Sequence, residues 1–164
     1  MLVLVTSAAI AGPKEDFIQA EKEFDGGDLI AAMSLLKRAS DQGYGPAQAR
    51  LGDMVDAADR PADALTLYRK SAEQGEASGE FGLGRLYAEG RGTKKDEQQA
   101  QKLFKRAADK DYLSALLALA SAYRTGGLGL PIDLEEAKAL EARAKKIVDA
   151  TRPKIEAKPK GATK

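Results

Sequence analysis

A twelve-residue pattern recurs along this chain and limits its fold more than any other feature. It reads Ala64-x-x-Leu67-Tyr68-x-Lys70-Ser71-Ala72-x-x-Gly75 and returns 36 residues later as Ala100-x-x-Leu103-Phe104-x-Arg106-Ala107-Ala108-x-x-Asp111. It also stands 32 residues earlier, as Ala32-x-x-Leu35-Leu36-x-Arg38-Ala39-Ser40-x-x-Gly43. Between these B segments lies a second pattern, A, in which Leu51-Gly52-x-x-Val55 matches Leu83-Gly84-x-x-Tyr87 and Leu119-Ala120-x-x-Tyr123. A period of this length marks a stacked array, where each unit buries its apolar face only against its neighbours.

Both segments read as helix. Ala64, Leu67, Tyr68, Ser71 and Ala72 fall at i, i+3, i+4, i+7 and i+8, one stripe of an α-helix, and Leu83, Gly84 and Tyr87 keep the same period. Asp96-x-x-Gln99 and Asp133-x-x-Glu136 resemble capping boxes, Asp28 can cap, and Pro46 and Pro61 suit a first helical turn. Gly43 and Gly75 suit left-handed C-terminal caps, a place that Asp111 takes in the third repeat. No strand-like alternation interrupts the pattern. The spacing predicts an all-α chain of eight helices in four antiparallel pairs: 14–25 with 28–42, 46–57 with 61–74, 77–89 with 96–110, and 113–125 with 133–149. Alanine supplies 30 of 164 residues and aromatics only nine, a composition for closely packed helices, with Gly52, Gly84 and Ala120 at the tightest points.

At these residues the chain resembles the Sel-one-like repeat family (SLR), a branch of the tetratricopeptide-like α/α solenoids. The third repeat, Ala77 to Asp111, carries the resemblance best: Leu83-Gly84-x-Leu86-Tyr87, the loop Gly90-Arg91-Gly92, then Asp96, Ala100, Leu103-Phe104 and Ala107-Ala108. The fourth keeps the glycine loop as Gly126-Gly127-Leu128-Gly129-Leu130-Pro131-x-Asp133, with one extra residue. The second departs from it, because its Val55-to-Ala64 link is four residues shorter than Tyr87-to-Ala100 and has no glycine pair. The first matches only in its B helix. The resemblance covers residues 16–149. It implies a right-handed α/α superhelical solenoid of about four helix-turn-helix repeats, with a repeat domain over 14–149. It also implies a non-enzymatic scaffold or adaptor that binds another protein or an extended peptide in a concave groove. A self-associating structural solenoid and a regulatory accessory subunit of an enzyme stand as alternatives.

Composition removes most chemistry. The chain has no Cys and no His, so thiol nucleophiles, disulfides, zinc–thiolate sites and imidazole bases are excluded. A formal charge of +1 excludes a strongly basic or acidic protein as a whole-chain description. Gly82-x-Gly84 and Gly90-x-Gly92 follow no strand and lead to no Gly-Lys-Ser/Thr, so they read as packing and turn glycines. Asp53 with Asp56, or Glu135 with Glu136, lies on an amphipathic helix rather than as an acid–base pair in a cleft. Asp16, Glu21, Glu23, Asp25 and Asp28 lack calcium-loop spacing. No catalytic residue, metal or cofactor is expected.

The two ends differ from the middle. Met1 to Pro13 carries no charge, and Ala9-Ile10-Ala11 before Gly12 resembles a signal-peptidase site. Residues 1–11 therefore read as a signal-peptide remnant of a periplasmic or secreted protein. The other reading is an apolar leader packed on the first helix of a cytoplasmic one. The run is too short to span a bilayer. Residues 143–164 hold eight Lys/Arg against two Asp/Glu, and 150–164 read as a flexible basic tail. Such a tail touches an anionic surface or simply solubilises. Without an aromatic for base stacking it is not expected to bind a specific nucleic acid.

The binding face is expected on the A helices, in the stripe beside the packing seam. That stripe is Ala49, Asp53, Asp56 and Ala57 in the second repeat, Phe81, Arg85, Ala88 and Glu89 in the third, and Leu117, Ser121, Arg124 and Thr125 in the fourth. Arg85 and Arg124, flanked by Phe81 and Leu117, suit an extended peptide with a carboxylate and an apolar side chain. For Phe81 and Leu117 the competing reading is core between repeats, and for the arginines a solvated surface.

Overall fold

The computed structural model describes residues 12–151, so the signal-remnant reading of 1–11 and all of the basic tail beyond Thr151 lie outside the described residues. Among those residues the chain forms eight α-helices and no strand: α1 Pro13–Asp25, α2 Leu29–Asp41, α3 Gly45–Ala57, α4 Pro61–Glu73, α5 Ala77–Glu89, α6 Glu97–Asp109, α7 Leu113–Thr125 and α8 Leu134–Thr151. Each helix packs on the next, so the pairs α1/α2, α3/α4, α5/α6 and α7/α8 stack in sequence. Besides these neighbours, A helix α3 packs directly on A helix α5. No two B helices make comparable contact. Within the stack α3 and α5 thus approach each other more closely than any two B helices do.

Local chemistry sets the boundaries. The Asp28 side chain accepts from Ala31 N, Asp96 from Gln99 N, and Asp133 from Glu135 and Glu136 N, at 2.9–3.1 Å. Gly43 and Gly75 turn the chain with φ of +83° and +80°, and Asp111 does so at +60° without glycine's freedom. Asp59 in the short second link is also left-handed, at +55°. In the fourth repeat the extra residue is absorbed by a 3-10 turn, Gly127–Gly129, with Leu128 at φ +56°.

Packing follows the repeat. One A-helix position is always small, namely Ala20, Gly52, Gly84 and Ala120, and in the middle repeats it faces a B-helix ring. A Cβ on Gly52 would sit 2.8 Å from the Tyr68 ring, and one on Gly84 would sit 2.9 Å from the Phe104 ring. Gly82 also clears Tyr68, which a Cβ there would approach to 2.3 Å. Four residues before this small position each A helix buries another side chain: Asp16, Gln48, Glu80 and Leu116, all at most 4% exposed. Arg38 of α2 binds Asp16 through two hydrogen bonds. Those bonds hold the Asp16 carboxyl below the usual range, against the opposing effect of burial. Gln74 donates to Gln48 at 2.8 Å. Glu80, fully buried, is bridged by Arg106 at 2.6 Å and Lys110 at 2.7 Å. In the first three repeats a polar partner comes from the B helix of the same repeat or its C-cap, and Gln48 also donates to Ser40 O of the preceding repeat at 3.4 Å.

Candidate functional site

The expected stripe is not open along its whole length, because part of it is drawn into ion pairs and packing. Asp56 is only 5% exposed and is held by two arginines of the third repeat, Arg85 at 2.5 Å and Arg91 at 3.0 Å. Arg91 stands in the glycine loop and also lies 3.5 Å from Asp59 and 3.8 Å from Glu89. Arg85 is thus a half-buried structural partner as well as a groove residue. Arg124 is paired with Glu141 of α8. Phe81 packs on Phe104 and Tyr112, with ring centroids 5.3 and 5.5 Å away. Of the other expected residues, Glu89, Leu117 and Ser121 are exposed on the A helices, Leu117 at 48%.

Asp53 sits where the surface is most structured. The Tyr68 ring passes from α4 through the gap left by Gly52 and Gly82, and its hydroxyl donates to Asp53 Oδ1 at 2.7 Å. Arg85 Nη2 donates to the same hydroxyl at 3.4 Å. Burial first, then the bond to the Asp53 carboxylate, pushes the Tyr68 phenol well above its ordinary value. Tyr112, at the start of α7, is raised by burial and then by the nearby Asp53 charge.

Two hollows flank Asp53 and the neighbouring Arg50. One, of about 280 Å³, is lined by Phe17, Glu21, Pro46, Ser78 and Tyr112. The other, of about 330 Å³, is lined by Phe24, Leu29, Met54 and Ala57. Arg50 forms the ridge between them. Glu21 accepts from its Nε at 2.9 Å, and its guanidinium lies 4.2 Å above the Phe24 ring. The surface therefore offers a fixed cation, a carboxylate, one apolar depression and one of mixed polar and apolar lining on adjacent A helices. Sequence reasoning missed Arg50 because its stripe ran through the preceding residue, Ala49, which proves 2% exposed. It missed Arg91 because a glycine-loop residue lies on no helical stripe. Among the described residues no group of acidic side chains is arranged to hold a metal ion, and no helix is long and apolar enough to cross a membrane.

These features define an α/α repeat protein of stacked helix pairs. The Sel1 repeat matches residues 26–44, 45–76, 77–112 and 113–143. The chain belongs to the Sel1 repeat family, whose members are in general non-catalytic protein-interaction scaffolds. It is similar to a Sel1 repeat protein from Oxalobacter formigenes, with 26% identity and a TM-score of 0.73 over 82% of this chain and 58% of that one. It is also similar to a protective antigen of uropathogenic Escherichia coli strains that displays an SLR fold, with 29% identity and a TM-score of 0.69 over 82% of this chain and 30% of that one. An exopolysaccharide production negative regulator from Rhizobium leguminosarum bv. viciae is 32% identical over 90 residues. That match takes in 48% of this chain, and the chain spans about a third (34%) of the regulator's length.

Proposed function

We propose that this protein is an exported scaffold that regulates an envelope protein by holding an extended segment of it along the A-helix face. The observation that carries the reading is the Arg50 ridge between an apolar hollow at Phe24, Leu29, Met54 and Ala57 and a mixed one at Phe17, Pro46, Ser78 and Tyr112. An extended peptide places alternate side chains about 7 Å apart. Two such side chains fit the hollows, while Arg50 receives a carboxylate between them. Exposed Leu117 and Arg124 extend the face toward the C-terminal end. The apolar run Leu2-Val3-Leu4-Val5 and the Ala9-Ile10-Ala11 site before Gly12 support export, and the regulatory name of the rhizobial relative supports a regulatory role.

Two experiments test this. Fusion of the full chain to a phosphatase active only after export should give activity outside the cytoplasm; activity confined to the cytoplasm would remove the envelope from the proposal. Affinity capture with mass spectrometry should recover a partner with the parent chain and lose it with Ala57→Arg, which fills the apolar hollow from an exposed position. Equal capture by Ala57→Arg, with an unchanged helical spectrum, would take the binding site off this face.

A further inference from the structure

The grooves between successive B helices are unequal. Each opens on the side away from the A-helix face and is floored by the repeated leucine, Leu51, Leu83 or Leu119. The α4/α6 groove measures about 290 Å³ and the α6/α8 groove about 260 Å³, but the α2/α4 groove measures about 910 Å³. Two features of the second repeat account for the difference. Val55 lines the groove where the later repeats have Tyr87 and Tyr123. Tyr87 packs half-buried on the cluster of Ala64, Leu83 and Leu103, and Tyr123 lines the small α6/α8 groove. The second link is also four residues shorter. The longer third link brings Gly92 so close to the start of α4 that a Cβ there would meet the Pro61 carbonyl at 2.7 Å. In the fourth repeat the turn Gly127–Gly129 packs on α6. At the corresponding start of α2, Ile30 is 85% exposed and Met33 46%.

We propose that this widened groove is a second docking surface, and that it takes a segment of another protein presenting an aromatic side chain beside a carboxylate. The ring takes the place above Val55 that Tyr87 and Tyr123 hold in the later repeats, between apolar walls of Met33, Leu51 and Leu67. Buried aromatic anchors of this kind concentrate binding energy. The rim supplies the charge preference. Lys37 pairs with Asp41 at 2.7 Å and Arg60 with Asp63 at 2.5 Å, each within its own helix end, while Lys70 has no ion-pair partner among the described residues. One positive charge is left for the incoming carboxylate. A second copy of this chain does not fit the role. All nine aromatics lie within the described residues and every one is buried or half-buried, so a copy has no exposed ring to offer.

The test is an NMR titration of the full chain, isotope-labelled, with three short Gly/Ser peptides centred on Tyr-Asp, Ala-Asp or Tyr-Lys. The Tyr-Asp peptide should shift the amides of Met33, Leu51, Val55, Leu67 and Lys70 in a saturable way. The Ala-Asp peptide should bind about tenfold more weakly, since it lacks the anchor, and the Tyr-Lys peptide should also be weaker. Val55→Tyr, which installs the ring of the later repeats, should reduce Tyr-Asp binding about tenfold or more. Met33→Glu, at an exposed position, should do the same without altering the floor, and so decides the matter if the first variant folds poorly. Undiminished binding by folded Met33→Glu would overturn the proposal. So would shifts confined to Phe24, Met54 and Ala57 on the A-helix face, or no saturable shift with any peptide. Groove shifts that grow with protein concentration before peptide is added would identify a second copy as the occupant and likewise overturn it.

Discussion

In the second repeat the ring lying against the A-helix glycine is Tyr68; in the third it is Phe104. Tyr68 sends its hydroxyl through the seam to Asp53, whereas Phe104 ends against Phe81, 5.3 Å between centroids. The buried A-helix position contrasts in the same way. Gln48 meets Gln74 in the second repeat, Glu80 meets Arg106 and Lys110 in the third, and Leu116 stands in the fourth. One backbone pattern therefore accepts a neutral polar pair, an ionic triad or an apolar side chain. What it requires is that each buried group find its complement on the B helix, because an unmatched polar group costs far more than a matched one contributes.

The sharpest way to break the comparison is to strip the third repeat of its cations. Arg106→Ala combined with Lys110→Ala leaves the Glu80 carboxylate buried and alone, and should destabilise by about 3–5 kcal/mol in urea unfolding. Glu80→Leu, which copies the fourth repeat, should instead be neutral or stabilising by up to about 4 kcal/mol. Loss of stability in both variants would mean that the ionic triad is favourable in itself. Next in size is Gly84→Leu. Its side chain would press on Phe104 and should cost about 1–3 kcal/mol or more by the same measurement. The links give a smaller effect. Asp96→Ala in the third repeat should cost about 0.5–2 kcal/mol through loss of the cap to Gln99. Arg60→Ala at the equivalent place in the second repeat, where no side chain caps, should cost less. Reversal of that order would show that the second link depends on the Arg60–Asp63 pair.

The smallest effect tests the hydroxyl that separates the two rings. Tyr68→Phe should cost about 1 kcal/mol near neutral pH. Its signature is in alkali. The folded phenol holds its proton above the ordinary value, so its contribution is complete below the unfolded value of about 10 and is lost as pH rises from there toward the folded one. The parent chain should therefore lose stability more steeply than Tyr68→Phe above that pH, as read from melting temperatures in a pH series. Parallel curves would mean that the phenol is no better shielded than in the unfolded chain.

The helices, their pairing and their caps were legible because each depends on residues within a turn or two of one another. The candidate site was legible only in part. Asp53, Arg85 and Phe81 were placed on the correct helices, yet the stripe rule treated them as one open surface. Asp56 and Arg85 are 29 residues apart, and Arg91 reaches the Asp56 carbonyl across 35 residues. Such pairings form only when one repeat stacks on the next, and no periodicity encodes which long side chain will turn inward to meet a buried charge. The wide α2/α4 groove has the same origin. Its causes, Val55 and a link four residues short, are visible in the sequence, but the volume they open depends on how far α2 and α4 splay. The sequence by itself determined an all-α repeat array with glycines at its seams, since hydrophobic period and capping act locally. Which charges remain free for a partner, and which are consumed in holding repeats together, was decided by the tertiary structure, because burial and ion pairing belong to the stack and not to any one helix.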